Sequence, residues 1–577
     1  MNEIERALYW CDTCRTPLAA EAAISCPGCG SATRSLVADA RPVFARERMI
    51  MACWRIDDYG QPGAIIEEFY KLLPASVWKG DHGYYIDGVS YHAPRGEKMA
   101  TDLDGIAEMV RVLPDTTYDD LDARVILPHY SGSLAKANAA HLAALEDDSF
   151  EFVKKTAARY ARRLHLVSFS GGKDSTVVSE LVRRALGKSD ILHVFGDTTL
   201  EDENTYAYVR TFREENPLVP FFEARAEHDF HELVETMGPP SRVMRWCCTI
   251  FKAGPINNLL QTLGEDGKVV KVLTFYGIRN DESVRRADYN AVTVGAKIGT
   301  QVTASPIIKW REFDVWLYIL AHGLTFNKSY RLGYSRVGCW LCPLNSNWSE
   351  SLAKIFFPED AARWTAQLQR FAAKVGKPDP QEYIASGAWK ARFGGAGMPN
   401  SFGGLEEKPC GDRDFTLTFT VGRPVTADLY EFFKPLGRLN FEKGRKALGE
   451  FFVEPRKASA MHAPLLVQAP LGGDQVRVTV LDTTNFEAMS NYVRHQIGKF
   501  QTCIQCTACS AVCPFGAITV RPEQRVYTIS EEKCTGCLEC VNHFGSTGCL
   551  VAKSLSVFGE HREKARTMKA LVMANTP

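Results

Sequence analysis

Residues 164–187 read LHLVSFSGGKDSTVVSELVRRALG, and no other stretch restricts the architecture of this chain as much. An apolar run of strand length passes into a glycine pair, and a helix with apolar spacing follows. Gly171 and Gly172 let the backbone fold closely, with amide groups turned into the bend. The positive N-terminal end of the helix points to the same place. Lys173 adds a full charge, and Ser170 and Ser175 add hydroxyls. Asp174 can cap the helix or help hold a metal ion such as Mg²⁺. Such a turn suits an anion of phosphate type, although its spacing is not the GxxxxGK[ST] pattern.

The same rhythm continues. LHLVSFS, ILHVFGD and VLTFYGI alternate with helical stretches between about 164 and 345, which predicts an α/β fold with a doubly wound parallel sheet. At 577 residues the chain needs several cores. We expect a ribbon at 1–35, a β-rich module at 40–130, the α/β domain at 150–390, a small α+β domain at 414–498 and a cysteine-dense domain at 499–555. SVWKGDHGYYIDGVSY carries the strand and turn signals of the second unit, and a Gly-rich stretch at 393–414 reads as a linker. Lys154, Lys155, Arg159, Arg162 and Arg163 fall on one half of a helical wheel, as a solvated face or a polyanion contact.

Lys+Arg and Asp+Glu each total 68, so net charge draws the chain toward neither nucleic acid nor membrane. The opening residues lack a basic end followed by an apolar run, and no apolar stretch approaches the ~20 residues of a membrane span. We expect a cytoplasmic chain without a membrane partner.

Of 18 cysteines, 16 fall in tight groups, which in a reducing compartment points to metal ligation. Cys11, Cys14, Cys26 and Cys29 form two CxxC knuckles with zinc-ribbon spacing; a rubredoxin-like iron fits the same ligands. Cys247, Cys248, Cys339 and Cys342 can hold a [4Fe–4S] cluster, with zinc or free thiols as alternatives. CIQCTACSAVCP and CTGCLECVNHFGSTGC form the two-cluster bacterial ferredoxin pattern, in which the fourth cysteine of each run serves the other cluster. That pattern assigns Cys503, Cys506, Cys509 and Cys549 to one cluster and Cys534, Cys537, Cys540 and Cys513 to the other. Cys53 and Cys410 stand alone as ordinary thiols.

SGGKDS after a buried strand resembles the PP-loop of the adenine-nucleotide alpha-hydrolase superfamily. With VFGDTTLEDENTY, RWCCTIFKAGPINNLL, FYGIRNDESVRRA, SPIIKWREFDVWLYI and YRLGYSRVGCWLCP, residues 160–345 resemble the phosphoadenylyl-sulfate (PAPS) reductase family. The CC…CxxC arrangement is similar to that of its cluster-bearing adenylyl-sulfate (APS) reductase branch. The resemblance implies ATP or adenylyl sulfate over the C-terminal sheet edge. It also implies Asp197 near ribose or metal, and Arg279 and Arg285 near phosphate or sulfate oxygens. The family's C-terminal Glu-Cys-Gly-Leu-His thiol tail has no counterpart, Cys410 being only loosely similar. Members without that tail resemble the DndC/SspD-type DNA phosphorothioation component.

We therefore expect an ATP pyrophosphatase-type sulfur-transfer enzyme carrying three [4Fe–4S] clusters and Zn²⁺. Its catalytic residues would be Lys173, Asp174, Asp197 and Arg279. It would act on nucleic acid within a multi-protein complex and take sulfur from a cysteine desulfurase. One alternative is an APS/PAPS reductase. Another is a tRNA-thiolating enzyme or RNA-binding adaptor, in which the pattern near Tyr84, Tyr85 and Gly88 forms a PUA-like module.

Overall fold

Leu166, Val167 and Phe169 are buried, as expected for a strand covered on both faces. The computed structural model describes residues 7–56, 61–81, 83–94, 103–242, 244–264, 270–283, 286–295, 298–374, 376–390, 406–409, 415–456, 463–482, 484, 486–503, 505–521, 524–541, 543–544 and 547–549. The first three strands, β1 (Ala7–Cys11), β2 (Thr16–Ala20) and β3 (Arg34–Val37), form the ribbon in order β2-β1-β3. A second sheet follows in sequence order: β4 (Ala40–Pro42), β5 (Val77–Gly80), β6 (Gly83–Ile86) and β7 (Val89–Tyr91).

The central sheet is built from β8 (Leu164–Phe169), β9 (Leu192–Asp197), β10 (Phe221–Arg225), β11 (Val272–Phe275), β12 (Val292–Val294) and β13 (Gln301–Ala304). Its order is β10-β9-β8-β11-β13-β12, parallel except for β12. The chain moves outward from β8 through β9 to β10, then returns to place β11 on the other side of β8. The glycine turn after β8 therefore sits at the topological switch point, where folds of this kind open a crevice for ligands. This is the doubly wound α/β sheet that the sequence predicts.

The C-terminal part opens with a six-stranded antiparallel sheet made of β14 (Glu406–Pro409), β15 (Thr416–Thr420), β16 (Arg438–Asn440), β17 (Glu450–Glu454), β18 (Leu465–Gln468) and β19 (Gln475–Val480). β18 and β19 pair as an antiparallel hairpin across the turn between Gln468 and Gln475. The helix Phe486–Thr502 then leads into the cysteine-dense segment. No helix of the described residues is long and apolar enough to cross a membrane.

Three boundaries differ from expectation. The 40–130 segment carries its hairpins but is not β-rich throughout, because Ala45–Ile56, Pro62–Leu72, Leu103–Arg111 and Asp115–Leu121 are helices. It also shares one apolar core with the α/β domain, where Phe44 packs 5.8 Å from Trp316 and 5.5 Å from Phe326, ring to ring. The boundary expected after 498 falls inside the helix Phe486–Thr502, and Val478, Val493 and Phe500 share a core with Val512, Ile518 and Val541. The basic helix ends at Arg159; Arg163 lies beyond it and donates to Val272 O and Thr300 O, tying the chain to the edge of the sheet.

Candidate nucleotide site and its cysteine groups

β8 delivers the chain into Ser170-Gly171-Gly172, and the helix Lys173–Leu186 starts at once. Gly171 has φ +71°, and a Cβ there would lie 3.0 Å from Thr205 Cγ2, so both backbone conformation and space demand glycine. Asn327 Nδ2 donates to Gly171 O (3.1 Å), and the Ser175 hydroxyl accepts from Ser170 N (3.1 Å) and donates to Gly172 O (2.8 Å). Lys173 N donates to the Tyr330 hydroxyl (2.9 Å). From below, Gly277 is pressed so close that a Cβ would come within 2.6 Å of Asp174 C.

Charge is concentrated beneath this turn. Lys173 Nζ is buried, donates to Ser335 O (3.0 Å), and lies 3.3 Å from Asp174 Oδ2 and 3.5 Å from Glu312 Oε1. Arg279 Nε donates to Asp174 Oδ1 at 2.6 Å. Burial works against the Asp174 carboxylate, but Lys173 and Arg279 outweigh it and hold the pKa at about 2. Burial likewise works against the Lys173 ammonium, and Asp174, Tyr330 and Glu312 raise its pKa nonetheless. Two polar atoms in this cluster are buried without a hydrogen-bond partner, Arg279 Nη1 and Glu312 Oε1. Each still faces an opposite charge, Arg279 Nη1 at 3.6 Å from Asp281 Oδ2 and Glu312 Oε1 at 3.5 Å from Lys173 Nζ, so both keep hydrogen-bonding capacity that a bound group could use. Arg286 adds a further cation nearby; burial and the Arg336 charge lower its pKa to about 10.

Asp197 ends β9 on the same edge of the sheet. Its Oδ1 accepts from Thr199 N (2.8 Å) and the Tyr206 hydroxyl (2.9 Å), and Arg225 stands 3.7 Å from Oδ2. The next residue, Thr198, donates to Glu201 Oε1 (2.7 Å) and lies 3.3 Å from Cys339 Sγ. The strand-end loop thus joins the nucleotide turn to the cysteines.

Cys247 and Cys248 end a helical turn that passes into a π-turn, Thr249–Ala253, and the helix Gly254–Thr262. Cys248, burial, and the approach of Cys339 and Cys342 raise the Cys247 pKa well above the usual thiol range. Cys339 is raised as well, chiefly by burial, and thiols that resist ionising in this way need a cationic group to hold them as thiolates, which suits a cluster site. Lys252 faces this group, and Cys339, Cys248 and Glu201 all raise its pKa.

In the C-terminal segment Cys503, Cys506, Cys509 and Cys549 lie near enough to act electrostatically on one another, Cys513 lies beside Cys534 and Cys537, and Cys540 meets Cys509 as well as Cys513 and Cys534. A cavity is lined by Cys513, Cys534, Cys537 and Cys540. The two loops share a backbone device: Gln505 and Thr507 in one, Gly536 and Leu538 in the other, all have positive φ. Such conformations turn amides toward sulfur, as where Gln505 N meets Cys503 Sγ at 3.4 Å. Lys499, buried and hydrogen-bonded to the Tyr527 hydroxyl (3.1 Å), places one cation among Cys509, Cys549 and Cys540.

In the ribbon, the sulfur atoms of Cys11, Cys14, Cys26 and Cys29 all lie within 4.8 Å of one another, close enough for a single tetrahedral ion. Cys53 is fully buried in the core, whereas Cys410 and Arg285 lie outside the described residues. Sequence reasoning missed Glu312, Tyr330, Ser335, Arg286 and Glu201. Their contacts reach across more than a hundred residues or depend on loop geometry, although Glu312, Tyr330 and Ser335 all lie inside motifs already noted.

Fold and site together define an α/β nucleotide-binding domain flanked by cysteine groups suited to iron–sulfur chemistry. Residues 164–345 match the phosphoadenosine phosphosulfate reductase domain, and residues 502–543 match the 4Fe-4S dicluster domain. The chain thus carries a PAPS reductase domain joined to a C-terminal dicluster ferredoxin domain. It is 33% identical over 277 residues to the uncharacterized protein MJ0066 of Methanocaldococcus jannaschii, covering 48% of this chain and 54% of that one. To MJ0973 of the same organism it is 29% identical, covering 44% and 59%. The chain therefore spans little more than half the length of these two relatives. An adenosine 5'-phosphosulfate reductase of Staphylococcus haemolyticus is 29% identical over 202 residues, 34% of this chain and 75% of that protein. A solved phosphoadenylyl-sulfate reductase from Candida auris, a phosphate complex, superposes with TM-score 0.27 at 16% identity, covering 35% of this chain and 96% of that one.

Proposed function

We propose that this chain is a PP-loop sulfur-transfer enzyme that activates a nucleic-acid oxygen with ATP. The observation that supports the reading is proximity: Thr198, which follows Asp197 at the end of β9, lies 3.3 Å from Cys339 Sγ, so the C-terminal edge of the sheet that carries the glycine turn also approaches one of the four cysteines. In the activation step an acceptor oxygen attacks the α-phosphorus of ATP, and the α–β bridging P–O bond breaks, releasing pyrophosphate with its electron pair. A persulfide sulfur, delivered by a cysteine desulfurase, then displaces AMP, and two electrons with one proton split the resulting S–S bond, leaving sulfur on phosphorus and a free thiol. Lys173 and Arg279 hold the phosphate oxygens, and Asp174 keeps both cations charged and fixed in place. Asp197 orients the ribose or a bound Mg²⁺. The three cysteine groups would hold [4Fe–4S] clusters, which supply single electrons when bound. DNA would be engaged with partner subunits, because the chain has no net charge.

A second reading, adenylyl-sulfate reduction, is favoured by the adenosine 5'-phosphosulfate reductases among the relatives. Against it, 16 of the 17 described cysteines belong to four-thiol groups and the other, Cys53, is fully buried. Among the described residues no thiol is left for a covalent thiosulfonate step.

With ATP, Mg²⁺ and duplex DNA, the purified protein should release pyrophosphate, and Lys173→Ala should reduce this by about 100-fold or more. Sulfite formed from adenylyl sulfate without ATP would replace this reading with the second.

A further inference from the structure

The 38–47 segment shares its core with the α/β domain, and its polar contacts converge on one residue of the nucleotide turn. Besides Asp174, the Lys173 ammonium meets the Ser335 carbonyl and the Glu312 carboxylate, and each is anchored from this segment. Asp39 Oδ2 accepts from Glu312 N (2.8 Å) and Oδ1 from Phe313 N (2.9 Å), capping the helix Glu312–Ala321 across 273 residues of sequence. Arg311 Nη1 reaches back to Ala38 O (3.1 Å).

The second anchor is a buried ion pair. Arg41 holds both oxygens of Glu47 (2.7 and 2.8 Å) and donates to Gly333 O (2.9 Å), two residues before Ser335. Glu47 is fully buried and also accepts from the Tyr84 hydroxyl (2.8 Å). Gly333 has φ +103°, and a Cβ there would stand 3.2 Å from Glu47 Cδ, so the turn is moulded onto this carboxylate. Tyr330, whose hydroxyl takes the Lys173 amide, lies three residues before Gly333. A buried ion pair is a poor source of stability but a good way to fix a geometry.

We infer that the N-terminal segment is a working part of the nucleotide site: Asp39 and Glu47 are positioning residues that set the Lys173 ammonium through Glu312 and Ser335. The inference rests on the nucleotide reading of the turn. A free-standing N-terminal module would have no need to hold the 312 and 333 backbones.

Asp39→Ala should weaken binding of ATP, measured calorimetrically on the full chain, by about tenfold with iron content unchanged. Asp39→Asn, which keeps one acceptor oxygen, should recover part of that loss. Asp39→Ala and Glu312→Gln should not multiply when combined, because one acts through the other. Glu47→Gln strips a buried arginine of its partner, so it is read by hydrogen exchange, which should accelerate across 329–335 in folded protein. Wild-type affinity in Asp39→Ala, or multiplying losses in the double variant, overturns the inference alone. If the unaltered chain binds neither ATP nor adenylyl sulfate, the nucleotide reading falls and takes this inference with it.

Discussion

Asp174 sets the charge balance of the turn. It stands between Lys173 and Arg279, and their effect on its carboxyl, from 3.8 to about 2, corresponds to about 2 kcal/mol in favour of the ionised form. The folded pKa is lowered, so this contribution is complete above the unfolded value and disappears only as pH falls toward 2. The charge is therefore constant through the working range. Asp174→Asn should weaken ATP binding by the same factor at pH 6 and pH 8 in parallel titrations; a factor that changes between them would assign the effect to another group. At this scale the sequence was legible where chemistry is local. Ser170, Gly171, Gly172, Lys173, Asp174 and Ser175 lie on one turn, and their residue types announce an anion. Arg279 could be placed only through the FYGIRNDESVRRA motif, and the motif's second cation within the described residues is Arg286. Glu312 and Tyr330 were invisible as site residues because a sequence does not say which distant helix start or turn will close over a lysine.

Among the elements, the helix Gly254–Thr262 has two faces with different duties. Its start follows the π-turn after Cys248, and it also packs on the ferredoxin loop, where a Cβ at Gly254 would lie 2.3 Å from Thr507 Oγ1 and 2.9 Å from Cys506 O. Cys506 packs against the same apolar cluster as Cys247 and Cys339. Gln261 Nε2 donates to Ser510 Oγ (3.1 Å), and Gly299 N donates to Ala511 O (3.0 Å), so the two domains are joined by bonds as well as packing. Gly254→Ala pits two effects against each other: helix propensity gains up to about 1 kcal/mol, while crowding of a fixed carbonyl costs about 1–3. Crowding should win, lowering the thermal midpoint and speeding hydrogen exchange in 249–262 and 505–511 together. Unchanged exchange in the second segment would mean that the helix does not carry the joint. Periodicity gave β8, β9, β11 and the helix after the glycine turn, since each buries its own apolar set, but it missed the four helices between Ala45 and Leu121. It also failed at ends: the basic helix stops at Arg159, and the domain expected to close at 498 ends inside a helix that continues to Thr502. Packing against distant partners, rather than local preference, decides those ends.

For the whole molecule, smaller clusters, the ribbon's among them, stand beside the two most extended cores of the described residues, which cross the unit boundaries that the sequence suggested. One joins the N-terminal segment to the α/β sheet, and the other joins the antiparallel sheet to the ferredoxin segment. The cysteine groups are distributed over this frame: Cys247 and Cys339 pack against an apolar cluster that Cys506 also touches, and Cys513, Cys534, Cys537 and Cys540 line a cavity at which Cys537 is exposed. Cys248 raises the pKa of Cys247, and burial with Cys509, Cys513 and Cys534 raises that of Cys540, so thiols in these places call for a cation or cluster to hold them as thiolates. The full chain, purified without air, should therefore contain about twelve irons and about one zinc. Cys339→Ser should remove about four irons and leave the ferredoxin signal in electron paramagnetic resonance intact, because its eight ligands are untouched. Lys499→Met should leave the iron count unchanged while lowering the reduction potential of the ferredoxin centres, since it removes a buried positive charge among Cys509, Cys549 and Cys540. Loss of all iron in Cys339→Ser would mean that the groups assemble as one unit. An unmoved potential in Lys499→Met would mean that solvent already screens that charge.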